Sequence, residues 1–263
     1  MRYKKHKKAK KILNKMAQNP ELYYVIHYSC ESFYDIKDGR SPRITSIAVQ
    51  HFASDQATSF SIHQIAEKKQ IPFTEINSKY DELERAMLEN FFIFLKENPH
   101  VIWIHWNMRN GQYGFQAIEH RFEVLEGTPF RVKDEKKLDI AKLLIDLYGV
   151  GYTGHPRMES LVKLNKISDK GWLSGAEEAE AFNNKEYIKL HQSTLRKVDI
   201  IANIINRQLD GKLKTLAKWR EIYGISSQSI FLYYKEHWWC QLIGGLFMLG
   251  LGGVIGALIG NIM

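Results

Sequence analysis

The chain has 263 residues, 44% of them hydrophobic and 25% charged, with only two cysteines; that composition is globular and excludes disorder, collagen and a disulfide scaffold. The net charge of +8 is local, because residues 1–20 carry eight basic side chains and no acid, while basic and acidic residues balance over the rest. Cys30 falls in a strand pattern and Cys240 in an apolar tail, so a reducing compartment is expected.

In chain order, the basic segment 1–20 comes first. Ala9, Ile12, Leu13, Met16 and Ala17 recur at helical spacing among its lysines, which predicts a short basic amphipathic helix. Its apolar stretch is too short for an export leader. Its charges suit anionic lipid or nucleic-acid phosphate equally, and a solvated terminus fits them as well. Residues 22–30, 43–52 and 57–64 read as three consecutive strands, an antiparallel meander. Residues 80–95 read as a helix, 101–105 as a buried strand, 115–125 as a helix and 130–140 as a weak fifth strand. Shorter helices are predicted over 141–148, 158–164 and 176–182, and a long one over 185–208. Residues 209–237 read as a connector.

The last 26 residues, 238–263, carry no charge. A helix of that length exceeds the roughly 30 Å hydrocarbon core of a bilayer, so a single C-terminal transmembrane helix is expected, with Tyr233, Tyr234, Lys235, Trp238 and Trp239 as its interfacial anchor. Gly252, Gly256 and Gly260 repeat every four residues, a spacing that lets membrane helices approach closely and self-associate. Basic residues on the side of the main domain favour a cytoplasmic position for it.

The element order is that of an α/β, ribonuclease H-like mixed five-stranded sheet flanked by helices. Over roughly residues 22–208 the chain resembles the DEDD-type 3′ to 5′ exonuclease branch of that superfamily. The words that carry the resemblance are His27-Tyr28-Ser29-Cys30-Glu31 in strand one, Pro42 through Val49 in strand two, His105-Trp106-Asn107 through Tyr113-Gly114-Phe115 to Arg121, and Lys137-Leu138-Asp139-Ile140. The resemblance implies four carboxylates holding two divalent cations, one activating water and one stabilising the leaving oxygen. Carried over position by position, Glu31 is kept, Ser29 and Gly114 replace aspartates, and the final motif falls on His191 and Leu195. One acid of four remains, too few to neutralise two Mg²⁺ or Mn²⁺ ions, so a degenerate, non-catalytic domain with no cofactor is expected.

Other polar residues gather along the same words. His27, Ser29 and Glu31 share one strand face, and with His105, Asn107 and His191 they offer either a Zn²⁺ site or a general base. Arg109, Arg121, Arg196 and Lys197 are candidate phosphate ligands, and Trp103, Trp106 and Tyr113 are candidate base-stacking platforms, if they are not core. Glu177, Glu178 and Glu180 resemble the acidic run ahead of the family's last helix, and a solvated helix face explains them equally well.

The reading that follows is a domain tethered at the membrane that recognises a nucleic acid, a nucleotide or a protein partner. It has the character of a bacterial defence or stress effector, antiviral defence included, whose tails assemble as a homo-oligomer in the bilayer. The rival reading keeps Glu31 and His191 as catalytic groups of a divergent Mg²⁺-, Mn²⁺- or Zn²⁺-dependent exonuclease or phosphodiesterase.

Overall fold

A computed structural model of the chain describes residues 2–32, 41–109, 113–236 and 242–243. Its centre is a five-stranded mixed sheet of order β3-β2-β1-β4-β5. The strands β1 (Tyr23–Cys30), β2 (Ile44–His51) and β3 (Ala57–Ser61) form the antiparallel meander, and β4 (Ile102–His105) and β5 (Lys137–Asp139) run parallel to β1. Parallel strands need crossovers. These are supplied by α2 (Ile62–Lys68) and α3 (Tyr80–Glu97) before β4, and by α4 (Phe115–Val124) before β5.

Side chains alternate along β1, so it feeds two cores. Ile26, Tyr28 and Cys30 join the core under α2, α3, α4 and α7 (Gly175–Asn183). Tyr23 and Val25 join the opposite core with α5 (Ile140–Tyr148), α6 (Arg157–Asn165) and most of α8 (Tyr187–Leu209). The basic segment is helix α1 (Arg2–Gln18), and it lies on that second core: Ala9, Leu13 and Met16 are buried with Leu143, Leu144 and Leu147 of α5. Burying Leu13 and Met16 stabilises the contact by roughly 1.5–3 kcal/mol each. The lysines occupy the outer positions of the same helix, all of them exposed.

Three expectations are adjusted. The third strand stops at Ser61, because Ile62, Ile65 and Ala66 follow at helical spacing and bury one face of α2. The fifth strand is three residues at a sheet edge, hence its faint pattern. The transmembrane helix is the main correction: among the described residues no helix is long and apolar enough to cross a membrane. The last named helix, α10 (Ser227–Glu236), has ten residues, about 15 Å against the ~30 Å required. It follows the short α9 (Trp219–Tyr223) within the expected connector. Apart from Leu242 and Ile243, the segment 238–263 lies outside the described residues, and with it Gly252, Gly256 and Gly260.

Candidate functional site

The parallel strands bring their C-terminal ends, Cys30, His105 and Asp139, to one edge of the sheet. In open α/β sheets such an edge is where ligands bind. Two places at this edge matter, the positions at which the resemblance would put acids and a cleft beside them.

Ser29 stands where the resemblance places an aspartate, and it is completely buried. Its hydroxyl lies 3.2 Å from that of Ser46 and 2.9 Å from that of Thr194, and Ser46 and Thr194 are 2.7 Å apart. Thr194 also donates to the Leu190 carbonyl at 2.9 Å. Three hydroxyls from β1, β2 and α8 thus partner one another. The second aspartate position, Gly114, has φ +154°, and a Cβ there would sit 2.8 Å from the Met108 carbonyl carbon and oxygen. Any side chain is therefore excluded. The Gly114 amide donates to the Tyr28 hydroxyl at 3.1 Å, which fixes the start of α4.

β4 pairs with Tyr23 through Val25, so among the described residues the outer half of β1 has no neighbour strand on that side. Tyr113 fills the notch. It stacks on Tyr28 at 4.8 Å and meets His27 edge-on, its hydroxyl 3.5 Å from His27 Nδ1. Burial holds the His27 imidazole well below its usual range, helped by the nearby Lys197 charge, so it is neutral. Glu31 lies just past the strand, its amide donating to the Arg43 carbonyl at 2.8 Å.

The other expected ligands are dispersed. His191 sits over edge strand β3, with Nε2 3.3 Å from Ser59 Oγ and its ring 5.1 Å from His63. Burial, with His63 adding to it, lowers its pKa to about 4. Arg121 is in the core, with Nε and Nη2 donating to Glu84 at 3.0 and 2.5 Å and Nη2 to Asp81 at 2.7 Å; Glu84 also accepts from the Ile44 amide at 2.6 Å. Lys197 is buried against Glu178 at 2.7 Å and over the Trp172 ring, and Ser193 donates to the same carboxylate at 3.1 Å. Arg196 pairs with Asp199 and donates to the Ser168 carbonyl. Trp103 is core. Among the described residues no three His, Cys, Asp or Glu side chains are grouped to hold a metal ion. The donors at the aspartate positions, hydroxyls and a glycine, do not fit a two-cation centre.

His105, Asn107 and Arg109 do come together. Asp139 caps α5 through the Ala141 and Lys142 amides at 2.9 and 3.3 Å, accepts from the Asn107 amide at 3.2 Å, and pairs with Arg109. Arg109 donates to Asn107 Oδ1 at 2.6 Å. Asn107 itself takes φ +59°, a left-handed conformation that asparagine tolerates. His105 Nδ1 accepts from the Met108 amide at 3.1 Å, so the ring's proton is on Nε2, and burial lowers its pKa to about 4 against the pull of Asp139.

His105, Met108, Arg109 and Asp139 form one wall of a cleft of about 760 Å³. Its opposite wall is α1, which contributes Lys5, Lys8 and Ile12, and α5 adds Lys142. Lys137 and Arg109 also line it, each already paired with an aspartate, Asp134 and Asp139. Lys5, Lys8 and Lys142 make no ion pair among the described residues. The sequence pointed to His105, Asn107 and Arg109 but not to these lysines, whose signal was only the charge of the first helix. No protein-family model, curated protein or solved structure matches this chain.

Proposed function

We propose that this chain is a degenerate relative of the DEDD-type exonucleases that binds a phosphate-bearing ligand, a nucleotide or the end of a nucleic-acid strand, without hydrolysing it. The observation that carries the reading is the cleft at the ends of β4 and β5, where Lys5, Lys8 and Lys142 converge from two helices beside Arg109 and His105. Its volume lies within the range of small-ligand sites. Lysines without carboxylate partners attract phosphate as point charges, and the Nε2 proton of His105 adds a neutral donor. The sheet order agrees with the resemblance in sequence, and the sealed Ser29 and the crowded Gly114 argue against turnover.

The test uses the full chain and fluorescein-labelled single-stranded DNA and RNA pentamers, with inorganic pyrophosphate as competitor. Saturable binding is expected, weakened about tenfold or more by Lys5→Ala, Lys8→Ala and Lys142→Ala together, with a salt slope reduced by about 2. The probes should stay intact with Mg²⁺, Mn²⁺ or Zn²⁺. Cleavage abolished by Glu31→Ala would establish the rival reading of a divergent nuclease, and absence of any binding would remove the ligand class.

A further inference from the structure

The proposed cleft leaves two features of the surface unused. Lys4, Lys7, Lys11 and Lys15 recur every three or four residues along α1, so they form a stripe opposite the buried side of Tyr3, His6, Ala9, Leu13 and Met16. The second feature is α10. Its Ser229 is buried, and Tyr233 packs on Trp219 and Tyr223 at 5.2 and 4.7 Å. About 100° round the same helix, Ile230, Tyr234 and Phe231 project outward, 51%, 41% and 63% exposed, and Ile225 just before it is 76% exposed. A helix of this kind leaves its apolar arc in water unless something covers it.

The two features are neighbours. Tyr3 and His6 of α1 contact Tyr223 at 6.2 and 5.0 Å, and Tyr223 carries Tyr233 of α10. Apolar side chains therefore stand next to the first turns of a helix whose outer side carries Lys4 and Lys7. We infer that this joint surface adsorbs to an anionic lipid bilayer, with α10 lying in the headgroup region and the α1 stripe facing the acidic lipids. Charge complementarity selects this occupant: an interfacial helix combines an apolar face with flanking lysines, and a tyrosine sits well at the boundary. A second copy of the chain would bring one lysine stripe near another. Adsorption needs no spanning segment, because α10 lies along the surface.

Co-sedimentation of the full chain with vesicles of phosphatidylcholine, with or without phosphatidylserine, tests this. Binding is expected only with phosphatidylserine, and it should fall at least tenfold in Ile230→Glu/Phe231→Glu and in Lys4→Glu/Lys7→Glu/Lys11→Glu/Lys15→Glu. Arginine at the four lysine positions should restore it. Circular dichroism verifies that each variant keeps its fold, which substitutions at outward positions should not disturb. Equal binding to neutral vesicles, or binding untouched by either variant, would overturn the inference and assign lipid contact elsewhere in the chain. Dimerisation lost in the Ile230/Phe231 variant without vesicle binding would overturn it in favour of a second copy. A lysine variant that loses only oligonucleotide binding would overturn it in favour of nucleic acid.

Discussion

The hydroxyl of Ser29 on β1 lies 2.9 Å from that of Thr194 on α8, and neither side chain reaches solvent. This contact fills the position at which the sequence resemblance would put an aspartate. Ser29→Asp places a carboxylate among three hydroxyls with no cation to balance it, at a cost on the order of 3 kcal/mol or more. Thr194→Val, which leaves the Ser29 and Ser46 hydroxyls with only each other as partner, should cost about 1–2 kcal/mol. Urea denaturation followed by circular dichroism measures both. A Ser29→Asp protein of unchanged stability that cleaves DNA with Mn²⁺ would show that the site is open after all.

Gly114 makes a steric prediction of the same kind. Gly114→Ala drives a methyl into the Met108 backbone at a φ of +154°, and should destabilise by roughly 1–3 kcal/mol. Gly175→Ala, at the start of α7 with nothing within 4 Å of the added Cβ, should be neutral or slightly stabilising. Comparing the two thermal midpoints separates crowding from a general intolerance of alanine.

The buried Lys197–Glu178 pair ties α8 to α7, with side chains only 8% and 3% exposed. Lys197→Met leaves Glu178 buried and unpaired except for Ser193, and should cost about 3–5 kcal/mol. Adding Glu178→Gln should recover a large part of that loss. A single-variant effect as small as that of a surface pair, under about 1 kcal/mol, would mean that the lysine reaches water.

Acid should unfold the protein early. His191 and His105 both have pKa values near 4 in the fold, against about 6.5 in an unfolded chain. Between those values the unfolded state binds more protons, so their stability contribution is full above about pH 6.5 and is lost as pH falls toward 4. Glu84 works the other way: burial raises it to about 7, and its share is lost as pH rises through that value. His191→Gln isolates the histidine share. Urea midpoints across this window should fall less steeply in that variant than in the parent, and identical slopes would mean that His191 is charged in the fold.

Much of the sheet was legible because β1 and β2 are eight residues each and buried on both sides, and β4, though short, is an apolar run. β1, β2 and β4 read directly from their β-branched and aromatic runs, and α3 and α8 from the 3.6-residue recurrence of residues such as Leu83, Met87, Phe91 and Val198, Ile201, Ile205. The edge strand β5 and the helix α2 fell at the limit of what short patterns resolve. The site was harder to read. Arg121 read as a phosphate ligand because its partner Glu84 lies 37 residues earlier on another helix, a pairing that no local spacing reveals. Likewise Lys5 and Lys142 share a cleft only because α1 folds back onto α5. Tyr113, seen as a possible stacking platform, instead closes the notch left by a short β4.

That fold-back changes what a fragment of this protein would be. The Arg2 guanidinium donates to the main-chain carbonyls of Asp146 and Glu221, each at 2.5 Å, and His6 Nδ1 meets the Leu147 carbonyl at 2.7 Å. One helix therefore clamps the end of α5 and the start of the α9–α10 segment together. A version trimmed of its first twenty residues would lose a wall of the cleft, leave Leu143 and Leu147 facing water, and take Tyr3 and His6 away from Tyr223. Behaviour measured on such a fragment would belong to a different surface, without the lysines of α1 and with only part of the aromatic seam of the intact chain.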